Sequence, residues 1–203
     1  MPHIRPRGWA PPAPRAGEGD PTAAPRVIEL NGTGPEDVVI DHNGAVLTGV
    51  DDGRILRVTR HGDHIDTIAD TTGRPLGLEL LPDGTLLVCD AHRGLLRVDQ
   101  RTGRIDVLVS QATHDLAVCN NAAVAADGTV YFSDSSQRFP LAQWRADLME
   151  HSGTGRLLRR DPSGEVEVLL DGLYFANGVA LAADETFVVV AETGAYRLTR
   201  LWL

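Results

Sequence analysis

The sequence predicts an all-β chain: a β-propeller of four-stranded antiparallel blades with one short helical insertion. Three observations predict it. Turn dipeptides punctuate alternating apolar stretches at Asn43-Gly44, Asp83-Gly84, Asp127-Gly128 and Asp184-Glu185, and Asn-Gly and Asp-Gly are strong hairpin signals. A β-rich run follows each turn: AVLTGV, TLLVCD, TVYFSD and TFVVVAE. Counted from Gly44, Gly84, Gly128 and Glu185, the units recur after 40, 44 and 57 residues, close to the roughly 40–45 residues of a propeller blade.

Within a unit, one strand precedes the turn and the β-rich run forms a second. A third apolar segment follows: GRILRV, GLLRVD, GRLLRRD and AYRLTRLWL. After the first three units comes a fourth: HIDTIAD, RIDVLVSQ and EVEVLLDG. A β-sandwich also gives short strands and turns, but not this four-beat order three times over. The longest spacing has a local cause, the insertion QRFPLAQWRADLMEHSGT after VYFSDSS. Leu141, Trp144 and Leu148 fall at helical spacing behind Pro140, which predicts a short amphipathic helix over one end of the blade. A structural cap and a substrate lid are both open readings of it.

Before the first unit stands RVIEL, Arg26 to Leu30. Its placement matches the fourth strands of the later units, so it reads as the outermost strand of a blade whose other strands come last. The final unit stops at RLTRLWL. The expectation is therefore a partial propeller over residues 26–203, the N-terminal portion of a longer ring, preceded by an extended or disordered segment over residues 1–25 that is rich in Pro, Gly and Arg.

Acidic residues outnumber basic ones 28 to 19, a formal net charge of −9, which argues against nucleic acid or an anionic membrane as the main partner. No apolar run reaches the length of a membrane span and the N-terminus has no continuous apolar core; a cytoplasmic location is the default expectation. Cys89 and Cys119 have no CxxC spacing and read as buried free thiols.

Counting eight residues back from the second turn residue of each unit gives Glu36, Leu76, Asn120 and Asn177. The first strand of each blade lines the central channel, so these positions form a ring at one height. One carboxylate and two amides are ligands that hard cations such as calcium favour, and Leu76 fits the wall of an adjacent apolar pocket. Asn before a strand also caps turns, and Asn177-Gly178 is itself a turn dipeptide; the shared offset with Glu36 is what favours a ring. Asp51, Asp90, Asp134 and Glu192 recur six or seven residues after their turns, a pattern suited to tying down neighbouring loops. The histidines have no zinc spacing, although His114 stands six residues before Asn120. Ser135 and Ser136 lack the GxSxG context of a nucleophile elbow.

The segment GTGRLLRRDPSGEVEVLLDGLYFANGVALAADETFVVVAETGAYRLTRLWL, with DGTVYFSDSS and the insertion after it, closely resembles strictosidine synthase-like proteins. The resemblance runs from about Arg26 to the end and is densest from Asn120. It implies kinship with the six-bladed calcium-dependent propellers that include gluconolactonase-like lactonases, paraoxonases and diisopropylfluorophosphatase-like phosphotriesterases, so about four of six blades are expected here. It implies a metal site whose ligands map onto Glu36, Asn120 and Asn177. A further acidic ligand, and the glutamate of the plant synthase, are expected beyond Leu203, which leaves the catalytic residue unassigned. Three readings follow: a calcium-dependent hydrolase of lactones or related esters, with Leu76, Trp144, Tyr174 and Phe175 shaping a small-molecule pocket; a carbon–nitrogen lyase that condenses an amine with an aldehyde; or a non-catalytic or truncated propeller that binds a partner.

Overall fold

The computed structural model describes residues 26–203; residues 1–25, expected to be extended or disordered, lie outside them. Each repeat forms its own antiparallel sheet with strands in sequence order. Blade 1 holds β1 (Val38–Ile40), β2 (Val46–Gly49), β3 (Arg54–Val58) and β4 (Ile65–Asp70). Blade 2 holds β5 (Pro75–Leu80), β6 (Leu86–Asp90), β7 (Gly94–Val98) and β8 (Ile105–Ser110). Blade 3 holds β9 (Cys119–Val124), β10 (Val130–Asp134), β11 (Gly155–Arg160) and β12 (Val166–Leu173). Blade 4 has three strands: β13 (Ala176–Leu181), β14 (Phe187–Glu192) and β15 (Arg197–Trp202). A single helical turn, α1 (Gln111–His114), which the sequence reading did not anticipate, joins blades 2 and 3.

The turns close as their residues dictate. The amide of Gly44, Gly84, Gly128 and Glu185 donates to the carbonyl three residues back in every case. Three of these residues are glycines at positive φ; the fourth, Glu185, adopts φ 56° and its carboxylate accepts the Ala126 amide of blade 3 at 2.7 Å.

The apolar core lies between sheets. Leu47, Ile55 and Ala69 of blade 1 meet Leu78, Leu86, Val88 and Leu96 of blade 2. Leu87, Cys89, Leu95 and Val109 meet Phe132, Val130 and Leu158 of blade 3. Tyr131 and Leu157 meet Val179, Val188 and Val190 of blade 4. Cys89 and Cys119 are both buried and free, as expected. The hydrogen bond from its neighbour and then burial hold the Cys119 thiol well above the ordinary range, so it is inert.

The recurrent acids tie down loops. Asp90 Oδ1 accepts the Arg74 amide at 3.0 Å, Asp134 Oδ1 accepts the Val118 amide at 2.7 Å, and Glu192 Oε2 accepts the Tyr174 amide at 3.0 Å. Asp51 Oδ2 accepts the Thr33 hydroxyl at 3.3 Å. In each blade the end of the second strand thereby fixes the entry to the first.

RVIEL, expected as the outermost strand of a blade whose other strands come last in the chain, forms no strand over residues 26–30; the Ile28 side chain lies over Gly62 in the β3–β4 turn.

The inner strands share an irregularity. Pro75 faces Asp90 and Leu78 faces Val88, so Leu76 and Gly77 oppose Cys89 alone. Asn120 and Asn121 likewise lie between the pairs Cys119–Asp134 and Ala122–Phe132. Asn177 and Gly178 lie between Ala176–Glu192 and Val179–Val190. These are two-for-one bulges, which bend a strand and re-aim its side chains. In blades 2 and 3 the second bulge residue meets the next blade. Asp37, at the matching position of blade 1, accepts the Leu78 amide at 2.9 Å, and Asn121 Oδ1 accepts the Val179 amide at 2.9 Å. At Gly77 the approach is closer: a Cβ there would come 2.6 Å from the Asn120 carbonyl oxygen.

The insertion contains a 3-10 turn (Leu141–Gln143) and α2 (Trp144–Glu150). Its buried residue is polar, Asp147. Asp147 Oδ2 accepts the Ser136 and Ser152 hydroxyls at 2.5 and 2.6 Å, while Ser136 Oγ accepts the Arg138 and Phe139 amides at 3.1 and 3.0 Å. A buried carboxylate, rather than an apolar stripe, anchors the segment.

Two predictions follow from this packing. Gly77→Ala is expected to cost about 1–3 kcal/mol through overpacking, whereas Gly178→Ala, with nothing within 4 Å of its Cβ, should leave the melting temperature near the parent; equal melts would remove the close approach as a constraint. Asp147→Ala removes the acceptor of the buried Ser136 and half-buried Ser152 hydroxyls at a cost of about 1–3 kcal/mol, and limited proteolysis should then cut preferentially within residues 137–150. A cleavage pattern matching the parent would show that the helix is held by other contacts.

Candidate metal centre and cavity

Three of the four ring positions sit where the bulges begin. Leu76, Asn120 and Asn177 are each the second residue of their inner strand, and Glu36 stands two residues before β1. The structure brings all four to one cavity of about 400 Å³. Asp51 and Arg74 complete its polar lining, and Leu141, Ala142, Trp144 and Phe175 complete its apolar wall.

The two amides are held in matching ways. Asn120 is buried and its Nδ2 donates to the fully buried Ser135 hydroxyl at 2.9 Å. Asn177 Nδ2 donates to the Thr193 hydroxyl at 3.1 Å. With both amide nitrogens engaged by hydroxyls, the carbonyl oxygens are left for the cavity. Glu36 opens onto the same space. Partial burial raises its carboxyl above the ordinary range, the Arg74 guanidinium works in the opposite direction, and Asp37 adds to the rise. A carboxylate short of compensating charge is suited to a cation.

The donor set decides which cation fits. Among the described residues no three His, Cys, Asp or Glu side chains cluster as metal ligands, so a zinc-type site is not formed. One carboxylate and two carbonyl oxygens are hard, oxygen-only ligands of the kind that calcium takes, with water completing the shell. Glu36, Asn120 and Asn177 therefore fit a calcium ion.

Arg74 is the cation of the lining. Its Nη2 lies 3.1 Å from Asp51 Oδ1 and its Nη1 donates to the Pro75 carbonyl at 3.3 Å. Phe175 holds φ 55°, strained for a bulky residue. Thr193 N–H donates to the Phe175 carbonyl at 3.1 Å and Gly194 N–H to that of Tyr174 at 2.9 Å. Trp144 and Leu141 bring the insertion over the cavity.

The sequence reading named Leu76, Trp144 and Phe175 for the pocket, and all three line it. Tyr174 does not; its ring stacks on His151 at 4.0 Å between centroids, because neighbouring residues of the β12–β13 connection point to different sides. His114 hydrogen-bonds to Thr113 and is not among the lining residues. Arg74, Asp51 and the orienting hydroxyls of Ser135 and Thr193 were not read as site residues. Arg74 carried a usable signal, since it stands two positions before the ring residue Leu76.

Comparison with known proteins agrees with this architecture. The chain matches the strictosidine synthase family model over residues 120–203 and the strictosidine synthase-like N-terminal model over residues 23–58. The adipocyte plasma membrane-associated protein of Rattus norvegicus is 36% identical over 199 residues, which cover 89% of this chain and 52% of the relative; the chain thus spans about half the length of the curated relatives it matches. A gluconolactonase from Xanthomonas campestris superposes with a TM-score of 0.68 at 22% identity, covering 85% of this chain and 59% of that one. A calcium-binding protein, regucalcin, from Agrobacterium tumefaciens superposes with a TM-score of 0.65 at 16% identity, covering 83% and 54%.

The relatives also correct one expectation. The cytoplasmic location taken as default is overturned by relatives named for association with the plasma membrane. No helix among the described residues is long and apolar enough to cross a membrane, but a propeller is also held at a membrane by its surface or by flanking chain, so the hydropathy of its blades does not decide its location. Two family models, matching residues 23–58 and 120–203, lead to one conclusion: the chain belongs to the strictosidine synthase-like family.

Proposed function

We propose that this propeller is a calcium-dependent hydrolase of lactones or related small esters. The observation that carries the reading is the convergence of Glu36, Asn120 and Asn177 on one cavity, with both amide nitrogens tied back to hydroxyls. The calcium-binding regucalcin and the gluconolactonase that share the fold support it.

Glu36 and the carbonyl oxygens of Asn120 and Asn177 would hold the ion. When bound, calcium supplies Lewis-acid polarisation of a carbonyl oxygen and stabilises the negative charge that develops there. The chain's own residues do the rest of the positioning. Ser135 and Thr193 fix the amide planes, so that the oxygens need not reorganise during reaction. Leu76, Leu141, Trp144 and Phe175 form an apolar wall that limits water around the reacting bond.

Calcium should raise the melting temperature of the full chain, since a ligand at about 100 times its Kd adds about 2.7 kcal/mol to the native state. Glu36→Gln and Asn177→Ala are each expected to remove most of that rise, and Leu76→Ala to keep it. A calcium response unchanged in both ligand variants would sink the site. Stoichiometric calcium without turnover of any lactone or ester would leave a binding protein in place of an enzyme.

The insertion is open to a kinetic test. If residues 137–150 close over substrate, Trp144→Ala should change KM or substrate preference and leave calcium affinity alone. Loss of stability with unaltered kinetics would reduce the segment to a cap.

A further inference from the structure

We infer that Arg74 makes the cavity selective for ligands carrying a carboxylate, so that the substrates are lactones or esters bearing a carboxylate away from the reacting bond. This deepens the hydrolase reading and rests on it for the reaction, though not for the anion selectivity itself.

Arg74 is held ready before any ligand arrives. Its backbone amide donates to Asp90 Oδ1 at 3.0 Å, and its carbonyl accepts the Ala91 amide at 2.9 Å. Pro75 then fixes the direction of the chain. The side chain is only 13% exposed, whereas its partner Asp51 is 54% exposed. Solvent therefore weakens the ion pair from the Asp51 side, while the guanidinium stays mostly out of water. A guanidinium has five N–H donors; Asp51 and the Pro75 carbonyl engage two. The remaining donors form a planar fork matched to a carboxylate.

Charge points to the same ligand. Glu36 and Asp51 are the carboxylates of the lining and Arg74 its cation. A divalent ion on the ring turns that lining net positive, and one carboxylate on the ligand balances it. A phosphate dianion would leave the same lining net negative. A neutral ligand would displace water from the half-buried guanidinium without offering it a charged acceptor. Arg74 sits in the cavity with the three oxygen ligands, so one molecule of small size reaches both. Hydrolysis then adds water across the ester bond and releases an acid and an alcohol, while the second carboxylate stays on Arg74 unchanged.

The test is calorimetric titration of the full chain with succinamate and with its neutral counterpart succinamide, each with calcium and after EDTA. With calcium bound, succinamate should bind about tenfold more tightly than succinamide, and after EDTA the Arg74-dependent preference should persist at a smaller ratio. Arg74→Met should erase that preference and Arg74→Lys should keep part of it. Equal binding of the two probes by the parent chain, or a preference that survives in Arg74→Met, would overturn the inference. Should Arg74→Met fail to fold, Asp51→Asn carries the test: freeing the guanidinium is expected to tighten succinamate about threefold, and an unchanged affinity counts against the role of Arg74. Absence of calcium binding alongside an Arg74-dependent preference would defeat the cation reading and support this one. A preference that appears only with calcium and ignores Arg74 would defeat this one alone.

Discussion

The two-for-one bulge in the inner strands is the constraint on which the rest of the molecule depends. A regular strand would send alternate residues to opposite faces of its sheet, and the ring residues would then pack into the layers between blades. The extra residue breaks that alternation where the strand enters the channel. One bulge residue, at 76, 120 or 177, reaches the cavity, and at Gly77 and Asn121 its successor serves the contact between blades. The successors are Asp37, Gly77, Asn121 and Gly178. Where a side chain stands, it accepts an amide of a neighbouring inner strand; at Gly77 the strands touch directly. The same irregularity that opens the cavity thus spaces the blades around it.

This arrangement separates stability from chemistry. The apolar layers lie between sheets and contain no candidate ligand. The cavity polar groups rest instead on a few fixed hydroxyls and loop amides. Asp134, although buried, holds two loop amides and pairs with Arg156 at 2.8 Å. Burial raises its carboxyl above the usual range, and those contacts work to lower it. It is a structural acid, as its position at a strand end suggested.

The fold was legible because turns, strands and blades repeat with one clock, and the ring residues keep a constant distance from the turn. Counting back from the turn therefore found Glu36, Leu76, Asn120 and Asn177 without reference to side-chain direction. Roles that depend on side-chain direction were not legible. Arg74 stands two positions before a ring residue and Asp51 seven after its turn, yet neither offset says which way the side chain points. Tyr174 adjoins Phe175, but adjacency along a chain says little about sharing a cavity. Asp147 was hidden because helical periodicity looks for apolar stripes, while this helix is pinned by a carboxylate among hydroxyls. RVIEL has strand composition, yet composition gives no partner, and Ile28 settles on Gly62.

The acid ties and the ring contacts differ greatly in sequence separation. Asp90 to Arg74 and Asp134 to Val118 each span 16 residues, and Glu192 to Tyr174 spans 18. Asp37 to Leu78 spans 41, Asn121 to Val179 spans 58, and Asn121 to Asp37 spans 84. Closing the longest of these loops costs about 1.5 kcal/mol more entropy than closing a blade tie. Single sheets therefore knit early in folding, and the channel organises only when distant inner strands meet. Burst-phase strand signal would arrive before the cavity takes shape, and the last event in the assembly of this chain would be the meeting of its most distant inner strands.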